Sequence, residues 1–131
     1  ADLLERMERV LGPDHPETLI VLQNLAFWRG GMGDADGAVS TYALLLERTE
    51  RLLGPNHSCS LAVRYNLAHA RGETGDVDGA VAAFERLLSD DEQILGPDHP
   101  ETLATRENLI HWREEAMRPS FINRPIDEQD R

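Results

Sequence analysis

Nine residues, Leu11-Gly12-Pro13-Asp14-His15-Pro16-Glu17-Thr18-Leu19, return unchanged at positions 95–103. A diverged copy, Leu53-Gly54-Pro55-Asn56-His57-Ser58-Cys59-Ser60-Leu61, lies between them, so the copies start at 11, 53 and 95, spaced by 42 residues each time (53 − 11 and 95 − 53). A fixed period of this size means that the chain stacks one supersecondary unit, each copy burying its apolar face on its neighbours. Such arrays work by presenting an extended surface. The residues that line that surface therefore matter more than any single pocket.

Within each period the apolar spacing is helical. Leu19, Leu22, Leu25, Ala26 and Phe27 mark a first helix over 16–31, and Ala38, Val39, Tyr42, Leu45, Leu46, Thr49 and Leu53 mark a second over 35–53. Gly30, Gly31 and Gly33 end the first helix, since glycine tolerates a left-handed C-cap. Asp34 then caps the second, with Asp36 in its first turn where the helix dipole favours an acid. Gly54-Pro55 stops that helix, and Pro16 and Pro100 suit the first helical position. The second period repeats the scheme, with helices over 58–73 and 77–95, the latter carrying Ala80, Val81, Phe84, Leu87 and Leu88 inward. A last helix over 100–117 carries Leu103, Leu109, Ile110 and Trp112, before Pro119 and a polar tail. Residues 1–11, with Leu3, Leu4, Met7, Val10 and Leu11, form the end of a second-type helix without its first-type mate.

The order Leu22, Leu25, Ala26, Gly33, Ala38, Tyr42, Leu45 resembles the tetratricopeptide repeat signature, and Leu67, Ala68, Gly75, Ala80, Phe84, Leu87 repeat it. The 42-residue period, the triplets Asn24-Leu25-Ala26 and Asn66-Leu67-Ala68, and the Leu-Gly-Pro-Asp-His-Pro linker are similar to the subclass found in kinesin light chains. They are similar also to the repeat arrays of bacterial regulatory proteins, which often follow a nucleotide-binding switch domain. The resemblance covers nearly all of residues 1–117. It implies an all-α solenoid of antiparallel helix hairpins with about six helices, two full repeats (16–57 and 58–99) and a half-repeat at each end (1–15 and 100–117). Residues 118–131 are expected to be an extended or disordered tail, its end, 127–131, reading as disordered. Where the family usually carries Tyr near the end of the first helix, this chain has Arg29, Arg71 and Arg113, which either pair with acids of the second helix or face solvent.

The resemblance also implies where a ligand would sit. First-type helices of the family line the concave wall, and the series Asn24, Asn66, Asn108 occupies a groove-facing position. An asparagine amide both donates and accepts, matching the N–H and C=O of an extended peptide. The competing reading is that these amides bond neighbouring helices and hold the stack. On the same wall the family pattern sets Gln23, Tyr65 and Glu107, then Phe27, His69 and His111, one turn away. The family's lysine and arginine clamp for a terminal carboxylate is missing, so an acidic C-terminal peptide is not expected. Glu73, Glu107, Glu114 and Glu115 favour a basic segment instead. Trp28 and Trp112 fall at a family position that packs on the neighbouring helix, and core packing is expected of both.

Composition narrows the partners. A net charge of −11 disfavours nucleic acid and anionic membrane and favours basic or neutral ligands. It equally serves solubility. The lone Cys59 forms no internal disulfide, which fits a reduced cytoplasmic setting. No apolar run approaches membrane-spanning length, and there is no secretory signal pattern. Ala1 opens straight into amphipathic sequence, as expected of a piece of something longer.

Cofactor and catalytic signals are weak. His15, His57 and His99 lie one period apart, so packed helices hold them about 8–10 Å or more from one another, whereas zinc–nitrogen bonds are near ~2 Å. Asp34-Ala-Asp36-Gly37 and Asp76-Val-Asp78-Gly79 open like a calcium loop but lack its later ligands. Gly31-Met-Gly33 follows no strand and carries no phosphate-binding signal. Nothing orients His57 beside Ser58, Cys59 and Ser60 as a nucleophile's base. The expectation is a protein- or peptide-binding scaffold, not an enzyme, with no metal or cofactor. The alternative is a structural or self-association module of a larger regulator, such as a switch ATPase. The two half-repeats each leave an apolar stripe, and are expected to cover one another between molecules.

Overall fold

The computed structural model describes residues 2–118. Six α-helices follow one another: α1 (Asp2–Leu11), α2 (Pro16–Gly31), α3 (Ala35–Leu53), α4 (Ser58–Glu73), α5 (Val77–Ile94) and α6 (Pro100–Met117). Successive helices pack on one another, and α4 also meets α6. Helices α2, α4 and α6 are the first-type helices, and α1, α3 and α5 the second-type.

The repeated linker explains its own sequence. Gly12, Gly54 and Gly96 take φ of 97°, 93° and 98°, a left-handed region that a side chain would strain. The histidine three residues on caps the next helix: Nδ1 of His15, His57 and His99 accepts the backbone N–H of Glu17, Cys59 and Glu101 at 3.1, 3.0 and 3.1 Å. The hydroxyls of Thr18, Ser60 and Thr102 then donate back to the carbonyls of Gly12, Gly54 and Gly96 at 2.9, 2.7 and 2.8 Å. All three hydroxyl residues are fully buried. The linker is thus a closed hydrogen-bonded bracket that satisfies a helix start and fixes the angle between repeats. The turn inside each hairpin uses a different cap, with Asp34 and Asp76 accepting from the N–H of Gly37 and Gly79 at 2.9 and 3.0 Å. That capping accounts for the calcium-like sequence.

Two apolar clusters run along the stack. The first joins Leu19, Leu22, Ala26, Ala38, Tyr42 and Leu45 to Val63, Leu67 and Ala70 of α4. The second joins Leu61 and Ala68 of α4 to Ala80, Phe84, Leu87, Leu109 and Trp112. Helix α4 is the shared wall, apolar on two sides, as an interior helix of an array must be. Ion pairs tie one helix to another, Arg48 of α3 to Glu8 of α1 at 2.8 Å and Arg64 of α4 to Asp90 of α5 at 2.7 Å.

Several residues expected in the core lie outside it. Trp28 is 62% exposed although its counterpart Trp112 is buried at 6%. Helix α4 covers Trp112, whereas no first-type helix precedes α2 among the described residues. Leu103 and Ile110 on α6 are exposed for the matching reason at the other end, where no described helix follows. Leu53, at the last turn of α3, is also exposed. Residues 119–131, and with them the expected tail, lie outside the described residues.

Candidate functional site

Every wall residue singled out from the sequence belongs to a first-type helix: Gln23, Asn24 and Phe27 to α2, Tyr65, Asn66 and His69 to α4, Glu107, Asn108 and His111 to α6. Asn66 is the centre of the arrangement. It lines a cavity of about 290 Å³ beside α2 with Phe27, Tyr42, His69 and Glu73. It lines another of about 290 Å³ beside α6 with Tyr65, Asp91 and Glu101. A third, of about 440 Å³, joins it to Gln23, Ile20 and Cys59. No hydrogen bond engages its amide among the described residues.

The three asparagines do not behave alike. Asn24 is exposed and lines a groove of about 380 Å³ at the end of the stack, with Trp28, Leu3 and Leu4. The Asn108 amide is engaged, donating to the Tyr65 hydroxyl and, at 3.1 Å, to the Ala104 carbonyl. It ties α6 to α4, as the competing reading of the series describes. Burial, the Glu107 charge and, in opposition, the Asn108 hydrogen bond set the Tyr65 phenol above its usual value. Burial and the charge of Glu73 do the same for Tyr42. His69 pairs with Glu73 at 2.9 Å. His69 and His111 both stand edge-on to Trp112, with ring centroids 5.7 and 4.8 Å away. His111 is exposed and lines none of these cavities.

The cavity between α2 and α4 has a cause visible in the repeat. Trp112 packs so closely on Gly72 that a β-carbon there would stand 2.5 Å from the indole. One period earlier the glycine is kept, as Gly30, but the tryptophan is replaced by Ala70 (112 − 42). The space that an indole fills between α4 and α6 is therefore left open between α2 and α4, where Gly30 and Ala70 both line the cavity.

Sequence reasoning missed Asp91 and Glu101. Asp91 is 2% exposed; its Oδ2 accepts from the Thr105 hydroxyl at 2.7 Å, and its Oδ1 is buried without a partner among the described residues. The available signal was positional: Asp91 and Thr105 stand one period after Thr49 and Val63. The arginines divide. Arg29 donates to Thr41 at 2.7 Å, and Arg113 meets Glu85 of α5 at 3.5 Å. The Arg71 guanidinium has no hydrogen-bond or ion-pair partner among the described residues; its backbone carbonyl accepts from the Thr74 hydroxyl at 2.6 Å. No group of metal-binding side chains gathers among the described residues, and no helix there is long and apolar enough to cross a membrane.

A tetratricopeptide repeat model matches residues 24–93, more than half of the chain. The chain belongs to the tetratricopeptide repeat family. Among solved structures, the tetratricopeptide repeats here superpose on those of a Podosopora anserina protein described as a kinesin light chain with nearly identical TPR-like repeats. The TM-score is 0.77 at 23% identity, covering 88% of this chain and 55% of that one. The likeness is one of fold, and this chain spans about half the length of that structure. No curated protein matches this tetratricopeptide repeat sequence. The family fold supports a protein-interaction scaffold.

Proposed function

We propose that the chain binds an extended peptide segment of a partner protein along α2, α4 and α6, with Asn66 as the principal contact to the peptide backbone. The observation that carries this reading is the unengaged Asn66 amide set among three cavities. Each side of the amide can meet one backbone group of a ligand, and the flanking cavities take its side chains. Phe27, His69, Tyr65 and Gln23 supply contact area beside it. Asn24 extends the same row towards α1, His111 stands at the far end, and Asn108 braces the wall. The acidic surface selects basic or neutral segments, and the setting is cytoplasmic.

The test is selection of peptides from a random library on the intact chain, followed by titration against an Asn66→Ala variant of unchanged helicity. Loss of one to two hydrogen bonds weakens binding roughly tenfold or more. Peptides bound equally by the variant would overturn the assignment.

Exposed Trp28 favours a second role, that of a module within a longer array or assembly. A second copy stacked in the repeat's own register would set Glu114 (72 + 42) where Gly72 meets Trp112. A partner helix bearing a small residue there fits Trp28 better, and copies pairing through their half-repeats need another register. Sedimentation of a monomer at high concentration would remove the self-association form of this reading.

A further inference from the structure

The cavity between α4 and α6 has a floor unlike anything else in the wall. Its sides are apolar or small, Leu61, Ala62 and Ala104, while Asp91 and Glu101 place two carboxyl groups in one lining. Asp91 is buried to 98% (100 − 2), so its unpartnered Oδ1 meets neither water nor a donor of the described residues. A buried carboxylate oxygen without a donor is costly to leave as it is. Arg64 eases the Asp91 charge from a distance but gives its hydrogen bond to the neighbouring Asp90 at 2.7 Å, so Oδ1 still lacks a donor among the described residues. The other groups acting on Asp91 are Thr105, already bonded to Oδ2, and Glu101 and Asp90, which both add negative charge.

Building on the peptide-binding reading, we infer that this cavity is a subsite for a protonated primary amine, the ammonium of a lysine side chain on the bound segment. The apolar sides suit the methylene stem and the carboxylates suit the head. Only one oxygen of Asp91 is free. A guanidinium fork needs two parallel acceptors, whereas an ammonium directs its three donors separately, here to Asp91 Oδ1, Glu101 and the Tyr65 hydroxyl oxygen. Burial pushes the Asp91 carboxyl up, against the Thr105 hydrogen bond and with Glu101 adding to the rise; a bound cation relieves that cost. The repeat supplies a built-in contrast, since position 49, one period earlier, is a threonine.

The probes are the N-acetyl methylamides of lysine, norleucine and arginine, titrated into the intact 131-residue chain and followed by amide chemical shifts. The lysine compound is expected to bind, moving the signals of Tyr65, Asn66 and Ala104. The norleucine compound should bind about tenfold more weakly or worse, as loss of a charge-assisted hydrogen bond implies. In Asp91→Thr, a residue this fold already accommodates at position 49, the preference for lysine over norleucine should disappear. Equal binding of lysine and norleucine, persistence of the preference in Asp91→Thr, or an arginine compound as tight as the lysine one would each overturn the ammonium assignment. If selected peptides still depend on Asn66 while the lysine compound fails, the subsite alone is wrong. If the lysine compound binds as expected but no peptide depends on Asn66, the groove reading falls and the amine site stands.

Discussion

Asp91 and Gly72 show how single positions break the symmetry of the repeat. The raised Asp91 carboxyl means that the folded chain takes up this proton more readily than the unfolded one, whose aspartate titrates near ~3.9. Its contribution to stability is therefore best below that unfolded value and is lost as pH rises through the folded one. Asp91→Thr should stabilise the unliganded chain at pH 7 by on the order of 1 kcal/mol, since it removes a buried, incompletely satisfied carboxylate. The freed Thr105 hydroxyl still has the Glu101 carbonyl at 2.9 Å. The gain should shrink as pH falls and be gone by about pH 3, well below the unfolded value, where aspartate is protonated in both states; urea unfolding at about pH 7 and about pH 3 measures the difference. Gly72→Ala should cost roughly 1–3 kcal/mol, because the new methyl meets the rigid indole of Trp112 at 2.5 Å. Gly30→Ala should be neutral or mildly stabilising, for its nearest neighbour, the Ala38 β-carbon, is 3.7 Å away and alanine is the better helix former. Parallel thermal melts of the two variants separate packing from propensity.

At the level of the element, each helix start is defined by a side chain rather than by apolar pattern alone. His99→Ala removes the acceptor of the Glu101 N–H and should lower stability by about 1 kcal/mol. A histidine-to-asparagine change at the same place should largely restore it, and denaturant midpoints read the difference. The helices were legible from sequence because period, capping aspartates and prolines all agreed, and the family signature lies on the residues that fill the two clusters. What escaped prediction depends on neighbours. Trp28 and Trp112 carry the same local signals, yet one is exposed and the other buried because, among the described residues, Trp112 has a first-type helix before its own and Trp28 does not. The wall residues were legible as positions, but whether an amide is free was not. Asn108 is engaged because Tyr65 stands opposite it, whereas Gln23, at the position equivalent to Tyr65, leaves Asn66 alone. The histidines of the linker were placed at helix starts, but their capping role required the Nδ1 geometry.

For the whole molecule, the two tryptophans report on opposite ends of the stack. Trp28 should emit in the red and be quenched readily by iodide or acrylamide, whereas Trp112 should emit further to the blue and resist quenching, as their exposures of 62% and 6% require. Trp28→Phe should leave stability within about 0.5 kcal/mol, as expected of an exposed position, and steady-state fluorescence of the two single-tryptophan chains checks the assignment. Because each repeat touches chiefly its neighbours, loss of structure at one end need not carry to the other. The bracket around Gly12, Gly54 and Gly96 also marks where the array can be cut. Excising residues 54–95, 42 in all (95 − 54 + 1), joins Leu53 to Gly96 and leaves Leu-Gly-Pro-Asp-His-Pro intact across the scar. The joint is therefore portable: the array can be shortened by one whole repeat at this linker without composing a new junction.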